Sequence, residues 1–210
     1  MMIAPKTFYD LNLKDKNEKE IISVIRQLKR EMKELKETME NPNYVVTEKP
    51  DEATQLECKR EYLEEAKKAI EAKGIPYKPT VKEKAALLFE QRIPEIKEIE
   101  YRLMISSDNG YLTTVVFEND IANIKRLTAL DLNPSIYGQK DKEEILNGLK
   151  NLHIGEWNQK YSIDKYGIEA TNEFSWDVVI TYNDGKKKKF TGDDVYPYNM
   201  ALFEELIKAD

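Results

Sequence analysis

The clearest periodicity lies in the last third of the chain. Trp176, Val178, Ile180 and Tyr182 alternate with Asp177 and Thr181. A period of two sets one face on a core and the other in water, so the pattern predicts a half-buried antiparallel strand. Asn183-Asp184-Gly185 follows, residues suited to a tight hairpin turn. The return strand carries Lys186, Lys187, Lys188 and Lys189 and closes with Phe190. Lysines discourage pairing between molecules, so a guarded edge strand is expected. Pro197 pushes Tyr196 toward an extended backbone. Asn199 stands where it would cap a short helix with Met200, Phe203, Leu206 and Ile207 on one face.

The first ninety residues read differently. Asn17 with Glu20 forms a capping box. Ile21, Ile25, Leu28, Met32, Leu35 and Met39 then follow at alternating spacings of four and three, a heptad seam. Asn41-Pro42-Asn43 stops that helix. A connector through Thr47-Glu48-Lys49-Pro50 leads to Asp51, the expected cap of a second helix. Its stripe is Leu56, Leu63, Ala66 and Ile70, helped by Tyr62 and Ala69, and Gly74 ends it with Pro76 beyond. Two helices of similar length on a short connection predict an antiparallel hairpin. Its outer surface is a candidate for contact with a partner or a second copy. Ahead of it, Tyr9-Asp10-Leu11 either packs on the first helix or adds a strand, and the pattern does not decide. Thr80 with Glu83 is a second capping box, opening a third helix with Val81, Ala85, Leu88 and Phe89 facing inward.

Alternation then takes over. Ile99, Tyr101, Leu103 and Ile105 predict a strand, Ser107-Asp108-Asn109-Gly110 a turn, and residues 111–117 the return. Residues 121–130 read as a third strand, although Ile121, Ile124 and Leu127 also fit a helix turn. Asn133-Pro134-Ser135 opens a loop. Asp141 with Glu144 begins a helix whose Ile145, Leu146, Leu149 and Leu152 face inward, ended by Gly155. The expected class is α+β, with about five antiparallel strands. Residues 1–92 form a helical region and residues 93–210 an α+β domain.

Charge sharpens that division. The chain has 210 residues and a net charge of −6. Residues 93–210 hold 14 Lys/Arg against 21 Asp/Glu, whereas residues 1–92 are close to neutral. An acidic half argues against general duplex binding, which depends on neutralising phosphates, and fits contact with a basic surface. One cysteine, Cys58, excludes an internal disulfide and suits a reducing cytosol. The first residues lack the apolar core of a signal peptide, and no run approaches the length of a membrane span. A cytoplasmic location is expected.

Candidate chemistry is thin. His153 is the only histidine, at the end of a helix pattern, and no cluster with metal-ligand spacing accompanies it. No phosphate-binding or dinucleotide glycine motif occurs. No cofactor, metal or catalytic residue is assigned. Asp193-Asp194 near Glu156 is the one candidate carboxylate site. Lys186 to Lys189, beside Tyr182 and Phe190, is a candidate nucleic-acid strip. The aromatics Trp157, Tyr161, Tyr166, Phe174, Trp176, Tyr196 and Tyr198 crowd into one module, where Asp193 and Asp194 would accept from buried polar tips.

Leu152-His153-Ile154-Gly155-Glu156-Trp157, then Trp176 before a strand, then Gly192-Asp193-Asp194-Val195-Tyr196-Pro197-Tyr198-Asn199, resembles a family of uncharacterised bacterial proteins that travel with phages and integrative elements. The opening, residues 3–11, is similar too. The chain departs from the family at Asp194-Val195, where Asn-Ala is usual. The resemblance implies a mobile-element role and transfers no activity. The reading that follows is a non-enzymatic binder of a host protein, such as an anti-CRISPR-like inhibitor occupying the basic channel of a defence nuclease. Its expected contact residues are Glu156, Trp157, Tyr161, Tyr166, Asp193, Asp194, Tyr196 and Tyr198. A nucleic-acid accessory protein using Lys186 to Lys189 and a carboxylate enzyme at Asp193/Asp194 are the alternatives.

Overall fold

The structure is a computed structural model that describes residues 2–46, 49–106, 110–128 and 136–208. Expectations for residues 47–48, 107–109 and 129–135 therefore lie outside the described residues. The chain divides into two compact units, residues 1–79 and 80–210.

The first unit is helical. Helix α1 (Pro5–Asn12) matches neither expectation for Tyr9-Asp10-Leu11, because the segment is itself a helix and packs on the helix that carries Tyr62. Pro5 occupies the first turn, where a missing N–H costs nothing, and Phe8 stacks on Tyr62 at 4.2 Å. The Tyr62 hydroxyl accepts from the Ile3 N–H and donates to the Ile3 carbonyl. Helix α2 (Glu18–Met39) starts at the Asn17/Glu20 box and buries Ile21, Ile25, Leu28 and Met32. Helix α3 (Glu52–Ala72) is capped by Asp51 and buries the expected stripe. Contacts run from Glu31 to Lys59 and from Lys29 through the Tyr77 ring to Lys67, so the two helices are antiparallel. Tyr44 bonds to the buried Glu52 at 2.6 Å, which pushes its hydroxyl up to about 12.

The second unit is α+β. It contains α4 (Val81–Arg92), β1 (Ile96–Ile105), β2 (Tyr111–Glu118), β3 (Ile121–Thr128), β4 (Ile136–Asp141), α5 (Lys142–Asn151), β5 (Lys160–Ser162), β6 (Phe174–Tyr182), β7 (Lys187–Asp193) and α6 (Met200–Leu206). Among the described residues, seven strands form one sheet in the order β4-β3-β2-β1-β6-β7-β5, antiparallel except for β5 on β7. The count is seven and not five because β4 and β5 lack an alternating apolar pattern. The register puts Ile99, Tyr101, Leu103, Val115, Ile124, Trp176, Val178, Ile180 and Phe190 on one face. That face joins one core with Ile145, Leu149 and Phe203 from α5 and α6.

Three details correct the expected packing. Helix α4 belongs to the second unit, so the boundary falls at Pro79/Thr80 and not at residue 92. Its inward face is Ala86 and Phe89, while Val81, Ala85, Leu87 and Leu88 are exposed. Phe89 meets Phe190 edge-on at 6.3 Å. Gly155 does not end α5. The chain leaves that helix at His153, in left-handed conformation with φ 52°. Gly155 instead lets the backbone close on α4, since a Cβ there would stand 2.9 Å from the Ala86 carbonyl. Lastly, β7 is not a sheet edge throughout, because β5 pairs with Thr191, Gly192 and Asp193. Among the described residues, no helix is long and apolar enough to cross a membrane.

Candidate functional site

The aromatic module is built from β6, β7 and the segments that flank them. Trp157 sits edge-on to Trp176, Phe190 and Phe203 at 5.4 to 6.2 Å, and Tyr161 tilts against Trp176 at 5.8 Å. The indole N–H groups do find acceptors, but not the aspartates. Trp176 donates to the Val195 carbonyl and Trp157 to Asn199 Oδ1, both at 2.8 Å. Asn199 in turn donates to the Leu152 carbonyl at 2.6 Å. It holds the cap position of α6 yet makes no side-chain cap, because its amide is drawn inward by Trp157. Gly192 lies under the Trp176 indole, where any Cβ would collide with the ring.

This burial changes the meaning of the expected contact set. Trp157, Tyr161 and Asp194 are buried, Glu156, Tyr166, Tyr196 and Tyr198 are half-buried, and only Asp193 is exposed. Trp157 and Tyr161 are core residues, so they cannot be contact residues in this fold. The eight do not form one surface.

Asp194 has the most developed environment. Its φ is 54°, a left-handed backbone that Asp and Asn tolerate better than most residues. Its carboxylate accepts the N–H groups of Thr171 (2.9 Å), Asn172 (2.6 Å) and Phe174 (3.0 Å), plus the Thr171 hydroxyl (3.2 Å). Its own N–H donates to the Phe174 carbonyl at 3.0 Å. Burial works to raise the pKa, but the N–H groups of Phe174 and Asn172 and the bonds from Thr171 outweigh it and hold the carboxyl below its ordinary value. The result is a fixed loop. Glu173 is exposed on it, as are Glu169 just before it in sequence and Asp193 at the neighbouring strand end. Asp193 and Asp194 point to different environments, so they do not form a carboxylate pair open to a substrate.

The lysine strip also divides. Lys187 and Lys189 align with Thr181 and Val179 on the sheet face away from the helices. There Lys189 lies 3.5 Å from Asp177. Lys188 lies over the Phe190 ring on the opposite face, and Lys186 is 3.5 Å from Asp184 in the turn.

One polar network was not legible in the sequence. Tyr101, fully buried on β1, donates to Glu204 of α6, and Tyr111 reaches the same oxygen at 3.3 Å. Burial first, then the carboxylate, pushes the Tyr101 hydroxyl far up, and burial does the same to Tyr196. Tyr101 and Tyr111 therefore stay protonated and tie α6 to the sheet through Glu204. The Arg126 guanidinium lies 4.4 Å from the Tyr111 ring centre and donates to Thr113 at 3.0 Å. No spacing rule links positions more than ninety residues apart.

The sheet face away from the helices is open. One line across it reads Lys189, Val179, Glu100, Thr114, Lys125, Tyr137, and the next reads Lys187, Thr181, Glu98, Val116, Asn123, Gln139. A third holds Asp177, Arg102, Leu112 and Leu127. Among the described residues, no three His, Cys, Asp or Glu side chains gather as a metal site. Comparison with protein-family models, with curated proteins and with solved structures returns no match.

Proposed function

We propose that this protein works by binding another macromolecule and carries no reaction of its own. In this reading it serves a bacterial mobile element by occupying a basic surface of a host protein, as an inhibitor of a defence nuclease would. One observation carries the reading. The Asp194 carboxylate is enclosed by four donors from residues 171–174, so this acid is a fastener. Glu173 within that fastened segment, Glu169 just before it and Asp193 next to the fastener are all exposed and available to a cationic partner. Fixing a charged loop before contact lowers the ordering cost of association, and acidic groups steer a basic partner toward it.

The lysine strand is a weaker contact because its charges split between two faces. The test is affinity capture from a bacterial lysate with the intact chain and with Glu169→Lys/Glu173→Lys/Asp193→Lys. A basic host protein held by the first and released by the second is the expected result. Equal recovery by both, or a gel shift with nucleic acid abolished by replacing the four lysines, defeats it.

A further inference from the structure

We propose that the open face of the sheet, centred on β2 and reaching from β6 to β4, takes a second copy of this chain. This goes beyond the proposed function and uses different residues. The face is unusual for a solvated one. Antiparallel sheets with one wet side ordinarily turn polar residues outward. Here Met104, Ile121 and Tyr137 are 50%, 44% and 61% exposed, and the half-buried Leu112, Val116, Leu127 and Val179 connect them.

The charged residues among them are unmatched. Glu98, Glu100, Arg102 and Lys125 have no side-chain ion pair or hydrogen bond with any described residue. Glu100 and Lys125 face the same way from β1 and β3, with Thr114 of β2 between them. Two strand spacings separate them by roughly 10 Å, too far to pair within one copy.

That arrangement is self-complementary. A two-fold axis laid along β2 keeps Leu112, Thr114 and Val116 at the centre. It sets Glu100 of one copy over Lys125 of the other, and the reverse. It also sets Glu98 over Asn123, Val179 over Tyr137 and the aliphatic stem of Arg102 over Leu127. This reciprocity, residue i on j and j on i, is what an isologous contact requires. Five strands of about eight residues offer roughly 600 Å² per copy, near the lower end of stable interfaces. A weak, reversible dimer is the form in which such an interface is sought. Aligned sheets stacked in this way keep their strands within about 30°.

Sedimentation of the full chain over roughly 1–200 µM tests this. The wild type, Glu100→Lys, Lys125→Glu and the double exchange are compared, with circular dichroism confirming that each is folded. The expected result is a wild-type dimer, a Kd at least about tenfold weaker in each single variant, and recovery to within about threefold in the double exchange. A wild type that stays monomeric overturns the proposal. So does a dimer indifferent to both single changes, which would point to the helical hairpin, and so does a double exchange no better than its parents. The lysate experiment above uses none of these residues, so the two readings fail separately.

Discussion

The two units hold themselves together by opposite means. In residues 1–79, the specifying contacts are mostly local. Caps lie three residues from the groups they accept, most ion pairs sit three or four apart, and the α2 seam and α3 stripe supply most of the core, with Glu31–Lys59 and Tyr62–Ile3 as the long-range exceptions. In residues 80–210, the decisive polar contacts join distant positions, with Asp194 bonding residues 171–174 and Tyr101 reaching Glu204. Local contacts tolerate exchange, because each is worth little and has many substitutes. Distant, buried ones fix a single geometry, and that is where a displayed surface can be held still.

The comparison makes graded predictions. Trp176→Ala should cost the second unit about 4 kcal/mol, because the emptied site removes an indole and orphans the Val195 carbonyl. Hydrogen exchange reads both units in one sample, and protection should fall first across β6 and β7. Leu28→Ala should take about 3 kcal/mol from the first unit, read by loss of protection in α2 and α3.

Asp194→Ala should cost about 3 kcal/mol at neutral pH, since four donors lose a charged acceptor. Its folded pKa lies below the unfolded one, so the contribution is complete above the ordinary carboxylate range and fades as pH falls through the folded value. Urea melts of Asp194→Asn should therefore show a flatter acid limb than the wild type. Asn17→Ala should cost about 1 kcal/mol by removing the cap of α2. Lys59→Ala, which breaks a short but partly exposed pair with Glu31, should cost less than about 1 kcal/mol in a thermal melt. If the cap or the ion pair proved as costly as Asp194, the contrast between units would collapse.

The same contrast explains what could be read from sequence. Both capping boxes, the seam of α2, the stripe of α3 and the alternation of β1 and β6 are local signals, and each matches the structure. Strand β4 is polar and contains Gly138, and it pairs only because β3 offers an edge. Helix α4 offered more apolar positions than it buries, so the choice of Ala86 over Ala85 and Leu88 came from Gly155 and Phe190. The aromatic crowd was visible, but its density marked a core and not a contact surface. The role of Asp194 needed its positive φ and three backbone donors, none of which leaves a spacing rule.

The glycine under the Trp176 ring reaches far beyond its own position. A single methyl at residue 192 would lift the indole, and the indole holds the Val195 carbonyl next to Asp194. Strain placed there would pass to the carboxylate and from it to residues 171, 172 and 174, which it bonds. A surface loop of this unit is thus anchored through an interior position that carries no side chain at all.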